Sequence, residues 1–172
     1  MKFQKAFGLL LLGLGLSLAA GCGKTAVRSE VVDPTEPREA QPKLPTVKLW
    51  LGSEELAAEM ALTAAQERTG MMFRTNITDA DAMIFVLPFP LRASFWMKNC
   101  PESISAAYID SDGVIQEIHH LEKQDTNPVV AGSANIKYVL ETSEGWFARH
   151  HISTGTVIRT EHGTLPETFR PR

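Results

Sequence analysis

The amino-acid sequence predicts a mainly β fold, either a compact antiparallel sandwich or a barrel-like sheet, with one or two short helices. Short apolar segments recur along the chain, several of them alternate with polar residues, and Gly, Pro, Asn and Asp separate them. These segments do not alternate with helical ones as in βαβ proteins, and the sequence contains no internal repeat. Roughly seven or eight short strands of this kind are typical of an antiparallel sandwich or barrel.

The first predicted elements are two strands and a helix. Residues 47–51 alternate between apolar and polar side chains, which predicts a half-buried strand. Residues 56–62 form a second strand candidate, although their Ala, Glu and Met content would also suit a helix. Thr63 and Gln66 form a capping-box pattern, which predicts a short helix that ends at Gly70.

The remaining elements follow the same signals. Further strand candidates, all short and rich in apolar residues, cover residues 83–87, 94–98, 105–110, 114–118, 136–141 and 155–159. Pro88 and Pro90 are expected to end the first of these strands, because proline cannot donate to a sheet. Ser-Asp-Gly at 111–113 predicts a hairpin between two others. Ser143 is expected to cap a short helix over residues 146–150.

Residues 1–21 have the pattern of a signal peptide rather than of a domain. Lys2 and Lys5 form a positive start, an uncharged apolar run follows, and small residues precede Cys22. The apolar run of about fifteen residues is shorter than the roughly 20 that a membrane-spanning helix needs. The segment 18–22 also resembles the bacterial lipobox, in which the cysteine is acylated, as with palmitate, and becomes the new N-terminus. An uncleaved anchor and an ordinary secretory signal are the alternatives.

Acylation of Cys22 predicts a lipoprotein of the cell envelope, with the lipid bilayer as its partner outside the cytoplasm. Two or three acyl chains, at about 0.8 kcal/mol for each buried methylene, make such an attachment effectively permanent. Gly23, rather than Asp, follows the cysteine, which by resemblance to Gram-negative sorting rules favours the outer membrane. Cys100 is the only other cysteine, so the lipidated chain is expected to contain no internal disulfide.

The domain organisation follows from composition. Residues 22–45 are rich in proline and charge and predict an extended tether between anchor and domain. Residues 46–160 form the predicted globular domain, and residues 161–172 are expected to be a flexible tail. The formal net charge is −3 and no basic stripe is present, so nucleic acid is not an expected partner.

Four short segments carry a resemblance to a known family. They are 67–74 (ERTGMMFR), 82–85 (AMIF), 95–99 (FWMKN) and 138–141 (YVLE) followed by Gly145. In this order they resemble the family catalogued as domain of unknown function 192, small and often exported proteins, over about residues 47–157. The resemblance implies a compact, mainly β fold. It supplies no reaction, because the activity of that family is not established.

The chain departs from the family pattern at three positions. Cys100 stands where the family usually has Thr, Ser105 where it has Asp, and Thr156 where it has a second Asp. If those acidic positions belong to an active site or a metal site of the family, this chain has lost them. The departures therefore weaken an enzyme hypothesis for this protein.

Trp96, Lys98 and Asn99 form the first candidate ligand-binding site. A large aromatic ring next to ammonium and amide groups can bind a sugar or a peptide. The alternative is architectural, since alternation along a strand would place Phe95 and Met97 in the core and leave Trp96 to cover an edge of the sheet.

Glu67, Arg68, Arg74 and Glu141 form a second, charged candidate set. The planar guanidinium group of arginine suits carboxylates, whether these are internal or belong to a ligand. An internal Arg–Glu pair that holds the helix on the sheet is the favoured interpretation.

Cysteine and histidine chemistry is not expected. Cys100 follows Lys98 closely, but no histidine lies nearby in sequence, so a buried or inert thiol is favoured over a nucleophile. The pairs at 119–120 and 150–151 are adjacent histidines, and the two rings of one pair would point to opposite faces of a strand and cannot chelate well together. Two pairs brought together in space could supply ligands, but no spacing in the sequence supports this. We therefore predict no metal and no cofactor.

Two functions remain open. The favoured one is a non-catalytic envelope module that binds a small ligand, a glycan or an envelope protein around Trp96, Lys98 and Asn99. The alternative is a hydrolase-like enzyme that uses the charged cluster around Arg68, Lys98 and Glu141, with Glu67. A concave pocket that gathers those four charged groups would favour the enzyme, and a shallow face with Trp96 exposed would favour the binding module.

Overall fold

One curled sheet of eight strands organises the domain, which a computed structural model describes over residues 35–170. The strands in chain order are β1 Thr46–Leu51, β2 Glu54–Ala61, β3 Ala82–Leu91, β4 Ser94–Phe95, β5 Ile104–Asp110, β6 Ile115–Leu121, β7 Val129–Val130, β8 Ile136–Ser143, β9 Ile158–Thr160 and β10 Gly163–Thr164. The described helices are α1 Ala64–Thr69, α2 Trp146–Arg149 and α3 Leu165–Thr168. The mainly β prediction is confirmed.

The sheet is mixed and curls into a half-barrel. Its strand order is β10-β9-β1-β2-β3-β8-β5-β6, and β4 and β7 form a separate two-stranded ladder. The pair β2–β3 is parallel, in contrast to the antiparallel pairs beside it. The chain passes through α1 between these two strands, and this crossover is what lets them run in the same direction.

Both faces of the central strands are buried. Met83 and Phe85 of β3 belong to one hydrophobic cluster, whereas Ile84 between them belongs to another. Val139 and Leu140 of β8 are divided between the two clusters in the same way. Since successive side chains of a strand point to opposite faces, the clusters lie on opposite sides of the sheet. This double burial explains the continuous apolar runs in the sequence.

β3 continues through Pro88 and Pro90, so the expectation that they end the strand is wrong. Its pairing with β8 is interrupted between Val86 and Leu91, and both prolines lie in this interval. The prolines are exposed there and interrupt no ladder hydrogen bond, which is the condition under which a strand tolerates them.

Ser143 is the last residue of β8 and does not cap α2. Its hydroxyl group donates to the Asp79 carboxylate at 2.5 Å, and Gly145 occupies the N-cap position without a side-chain hydrogen bond. Gly145 has φ 72°, a left-handed conformation that glycine adopts at little cost, so the backbone rather than a side chain starts this helix.

Residues 163–168 are ordered where the sequence suggests a loose tail. β10 pairs with β9, and α3 begins with a capping box formed by Thr164 and Glu167. Leu165 is fully buried in the same cluster as Ile84. Burial of this one leucine ties the segment to the core.

The end of the predicted tether nearest to the domain contacts it. The side-chain amide of Gln41 donates to the Gly70 carbonyl at 2.8 Å, and the Leu44 N–H donates to a Glu59 carboxylate oxygen at 2.8 Å. Residues 1–34, with the predicted signal peptide and Cys22, lie outside the described residues. Between residues 35 and 170, no helix has the length and apolar character needed to cross a membrane.

Candidate functional site

A cleft of about 350 Å³ lies between α1 and β4, above side chains of β3 and β8. Its lining is largely apolar and includes Met71, Met72, Phe85, Leu87, Phe95 and Trp96. Three charged or titratable residues of the predicted sites, Glu67, Arg68 and Glu141, also line it. A mainly apolar cavity with a few polar groups is typical of small-molecule sites.

The end of α1 shapes one wall of the cleft. The predicted capping box of Thr63 and Gln66 is present, and the helix ends at Gly70, as the sequence predicts. Gly70 has φ +48°, and a Cβ atom there would lie 3.2 Å from the Phe85 ring. Both the backbone conformation and the close approach to the cleft floor therefore favour glycine at this position.

Glu141 is the most unusual side chain of the cleft. It is 5% exposed, and among residues 35–170 its carboxyl group makes no hydrogen bond or ion pair. No fully buried side-chain nitrogen or oxygen in that part of the chain lacks a partner. The carboxyl oxygens of Glu141 must therefore reach the surface of the cleft.

Burial raises the pKa of Glu141 to about 8, and the positive charge of Arg74 acts in the opposite direction. The carboxyl group is consequently mostly protonated at neutral pH, so it can both donate and accept a hydrogen bond. Burial also raises the pKa of Glu67, against the opposing charge of Lys137. Titratable groups with displaced pKa values in a cleft are typical of functional sites.

Trp96 is 48% exposed and lines the cleft. The Lys98 Nζ atom lies 5.6 Å from the centroid of its ring, within the range of a cation–π contact. Met97 is buried and Phe95 packs against the core, as the predicted alternation requires, although only Ser94–Phe95 form a strand here. The exposed ring is available to a ligand, as the binding hypothesis requires.

Lys98 and Asn99 line a different, neighbouring cavity of about 480 Å³, together with Phe73 and Gln124. Asn99 and Phe73 have positive φ values of 59° and 62°, and the Phe73 N–H donates to the Asn99 carbonyl at 2.8 Å. The structure thus divides the predicted binding residues between two cavities, with Trp96 in one and Lys98 and Asn99 in the other.

Arg74 does not line the cleft. Its guanidinium group binds both oxygens of Glu59, at 2.6 and 2.8 Å. The internal Arg–Glu pair that the sequence favours thus involves Glu59, a residue that sequence reasoning missed. Glu59 stands among apolar residues of β2, and a charge inside such a run is the signal that could have identified it.

Cys100 lies at the cleft but is poorly suited to act as a nucleophile. Burial raises the pKa of its thiol to about 12, and the nearby Glu141 acts in the same direction. A nucleophilic cysteine needs the thiolate form, which is scarcely populated at neutral pH here.

His119 and His150 contact carboxylates away from the cleft. His119 lies 2.9 Å from Glu117, and His150 lies 2.7 Å from Glu54 and stacks on Trp146. Within the described residues, no group of three or more His, Cys, Asp and Glu side chains is arranged to hold a metal ion.

Comparison with known proteins identifies relatives of the domain. The family model DUF192, described as "Uncharacterized ACR", matches residues 47–160. A crystal structure from Novosphingobium aromaticivorans DSM 12444, of unknown function, is 27% identical with a TM-score of 0.63, covering 74% of this chain and 97% of the other. A Sinorhizobium meliloti 1021 structure, named a "putative transcription regulator", is 25% identical with a TM-score of 0.62, covering 72% and 98%. No curated protein matches the chain.

Proposed function

Since the chain belongs to the DUF192 family, which is described only as uncharacterised, we propose a function from its own cleft. The protein is a lipid-anchored module of the cell envelope that binds a small molecule without transforming it. The bound molecule combines a ring or apolar body with an amide group, as an N-acetylated sugar or a peptide does.

Glu141 is the observation that carries this proposal. A protonated carboxyl group offers a donor and an acceptor side by side, and an amide group offers the complementary pair. A buried polar group without a partner costs stability, whereas a ligand that supplies the missing hydrogen bonds recovers that cost. Glu141 is only 5% exposed, so its carboxyl group carries this cost, and it lines the cleft, where a ligand can supply the missing hydrogen bonds.

Trp96 supports a ring-shaped ligand. Its half-exposed ring lies in the same cleft as Glu141 and offers a flat apolar surface beside the polar group. Sugars and peptides present apolar patches next to hydrogen-bonding groups, which matches such a surface.

Binding is better supported than hydrolysis. The hydrolase-like alternative uses Lys98 together with Arg68, Glu67 and Glu141, but Lys98 lines the neighbouring cavity. The thiol of Cys100 is protonated at neutral pH and supplies no nucleophile. A charged set that is divided between two cavities is poorly arranged for acid–base chemistry on one substrate.

The anchoring part of the proposal rests on the sequence around Cys22. Labelled palmitate should enter the wild-type chain and not the Cys22→Ala variant, while the free energy of unfolding of the domain stays the same. Equal incorporation into both chains would contradict lipidation at Cys22.

The binding part is tested with N-acetylglucosamine and glucose, which share a sugar ring and differ in the amide group. In calorimetric titrations of the mature chain in detergent, N-acetylglucosamine should bind at least tenfold more tightly than glucose. A tenfold difference is about 1.4 kcal/mol, within the range of one or two hydrogen bonds.

Two variants locate the binding. Glu141→Leu should remove the preference for the sugar that carries the amide, and Trp96→Ala should weaken the binding of both sugars. Glu117→Gln is the control, because Glu117 lies outside the cleft and its carboxylate accepts a hydrogen bond from the Gly132 N–H. Equal binding of the two sugars, or a preference that survives in Glu141→Leu, would contradict the proposal.

A further inference from the structure

Residues 35–41, which we call the strap, contact the α1 wall of the cleft and Lys98 of the neighbouring cavity. On the α1 side, an Nη atom of Arg68 donates to the Thr35 carbonyl at 3.4 Å, and Gln41 donates to the Gly70 carbonyl at 2.8 Å. The Glu36 carboxylate forms an ion pair with the Nζ atom of Lys98, which lies beside Trp96 in the neighbouring cavity. The strap therefore connects the α1 wall of the cleft to the lysine next to its aromatic surface.

The two ends of the strap are held differently. Gln41 donates to two backbone carbonyls at the end of α1, those of Gly70 and Gln66. The ion pair at the other end is open to solvent, with side-chain exposures of 40% for Glu36 and 36% for Lys98. Such half-exposed ion pairs stabilise a protein only weakly. The Glu36 end can therefore be released while the Gln41 end stays in place.

Lys98 offers an anion site next to the aromatic surface. Its Nζ atom lies 5.6 Å from the centroid of the Trp96 ring, so an anion bound to Lys98 is close to any molecule that contacts this ring. Arg68 adds a second positive charge, on the α1 wall of the cleft that Trp96 lines. The strap supplies a carboxylate to this region from within the chain itself.

We propose that Glu36 occupies, on Lys98, the position that a carboxylate group of the ligand takes when the cleft is filled. This inference rests on the proposed function and narrows its ligand class to molecules that carry a carboxylate besides the ring and the amide. Binding then exchanges one ion pair for another and releases the strap from Lys98, and no covalent step is involved.

N-acetylmuramic acid and N-acetylglucosamine form the matched pair of probes, because the first carries a lactyl carboxylate that the second lacks. Titrations use the mature chain in detergent and compare wild type with Glu36→Gln and Lys98→Gln. Glu39→Gln is the control, since Glu39 is an exposed acid of the same strap.

Wild type should bind N-acetylmuramic acid more tightly than N-acetylglucosamine. Glu36→Gln should raise the affinity for N-acetylmuramic acid about threefold to tenfold and leave the affinity for N-acetylglucosamine unchanged, because the internal competitor is gone. Lys98→Gln should remove the preference for the acid. Glu39→Gln should change the affinity for neither sugar.

Two results would contradict this inference while leaving the proposed function intact. If Glu36→Gln leaves the affinity for N-acetylmuramic acid unchanged, or changes both sugars equally, the strap does not compete for the carboxylate. The proposed function stands in that case, provided that N-acetylglucosamine still binds in a Glu141-dependent way. If neither sugar binds to any variant, both the inference and the proposed function are wrong.

Discussion

Two buried glutamates in neighbouring strands behave in opposite ways. Glu59 of β2 is in register with Met83 of β3, which is in register with Glu141 of β8, so the two acids flank one methionine in the same row of the sheet. They are 4% and 5% exposed. They share residue type, low exposure and row, and they differ in their partners.

Glu59 has partners on both oxygens. Arg74 binds it through two hydrogen bonds, the Leu44 N–H donates to it at 2.8 Å, and the Lys43 Nζ atom lies 3.2 Å away. Burial alone would raise the pKa of Glu59, but the hydrogen bonds from Arg74 and Leu44 outweigh it and lower the pKa below the ordinary value. This acid stays ionised and holds the segment before β1 against the sheet.

Glu141 lacks such partners and is protonated instead. A buried acid is thus either paired and structural, or unpaired and costly, and the unpaired one lies at the cleft. The presence or absence of hydrogen-bond partners therefore separates a structural glutamate from a candidate site residue, which residue type alone does not.

The largest effect is expected at the paired acid. Arg74→Leu should lower the free energy of unfolding by about 3–5 kcal/mol, because it leaves the Glu59 carboxylate buried without its main partner. Urea denaturation at pH 7 measures the loss. Arg68→Leu is the matched control, since Arg68 is exposed and its loss should cost within about 0.5 kcal/mol. Similar losses in the two variants would mean that the Arg74–Glu59 pair contributes little.

The pH dependence of stability should differ between the acids. Folding raises the pKa of Glu141 from 4.5 to about 8, so its protonated form is favoured in the folded state. Stability from this group is complete below pH 4.5 and falls as pH rises through the window to 8, by at most about 1.4 kcal/mol per pH unit. For Glu59, whose pKa is lowered, the contribution is present above pH 4.5 and lost as pH falls.

The variant Glu141→Gln tests whether Glu141 causes the decline in stability as the pH rises. The variant keeps the size of the side chain and cannot ionise, so its unfolding free energy should lose the decline between pH 5 and pH 8. Denaturation at several pH values compares the variant with wild type. A decline that persists unchanged in Glu141→Gln would assign it to other groups.

The cleft wall should be less tolerant than an open turn. Gly70 and Gly52 both have positive φ, at +48° and +64°, so an alanine suffers a backbone penalty at either position. The ψ of Gly70 is −130°, outside the left-handed helical region that other residues can adopt, which adds to the penalty there. A Cβ at Gly70 also meets the Phe85 ring at 3.2 Å, whereas nothing lies within 4 Å of one at Gly52. Gly70→Ala should therefore cost at least about 1 kcal/mol more than Gly52→Ala, measured by thermal unfolding. Equal costs would contradict this difference between the cleft wall and the turn.

The smallest effect is expected at the cleft rim. Trp96→Ala should cost less than about 1 kcal/mol, because half of the side chain is already in solvent. Trp146→Ala should cost about 3–5 kcal/mol, since that ring is 2% exposed in the core. Denaturation of both variants tests the contrast, and a loss of several kcal/mol for Trp96→Ala would make this ring part of the architecture.

Much of the fold could be predicted from local patterns. The alternation in β1, the hairpin between β5 and β6, and the capping box of α1 each depend on a few neighbouring residues. The ordered segment at 163–168 escaped prediction, because the contact of Leu165 with the core joins distant parts of the chain. Of the residues singled out from the sequence, Glu67, Arg68, Trp96 and Glu141 line one cleft, and their role as a binding site stays a prediction.

The sequence by itself determined the mainly β class and the limits of α1, because these depend on periodicity and capping between near neighbours. Only the tertiary structure decided that Arg74 pairs with Glu59, that Lys98 pairs with Glu36, and that Glu141 has no partner among the described residues. The physical reason is that the charge state of a carboxyl group depends on the water and the donors around it. Distant segments bring those donors to Glu59 and leave Glu141 without them.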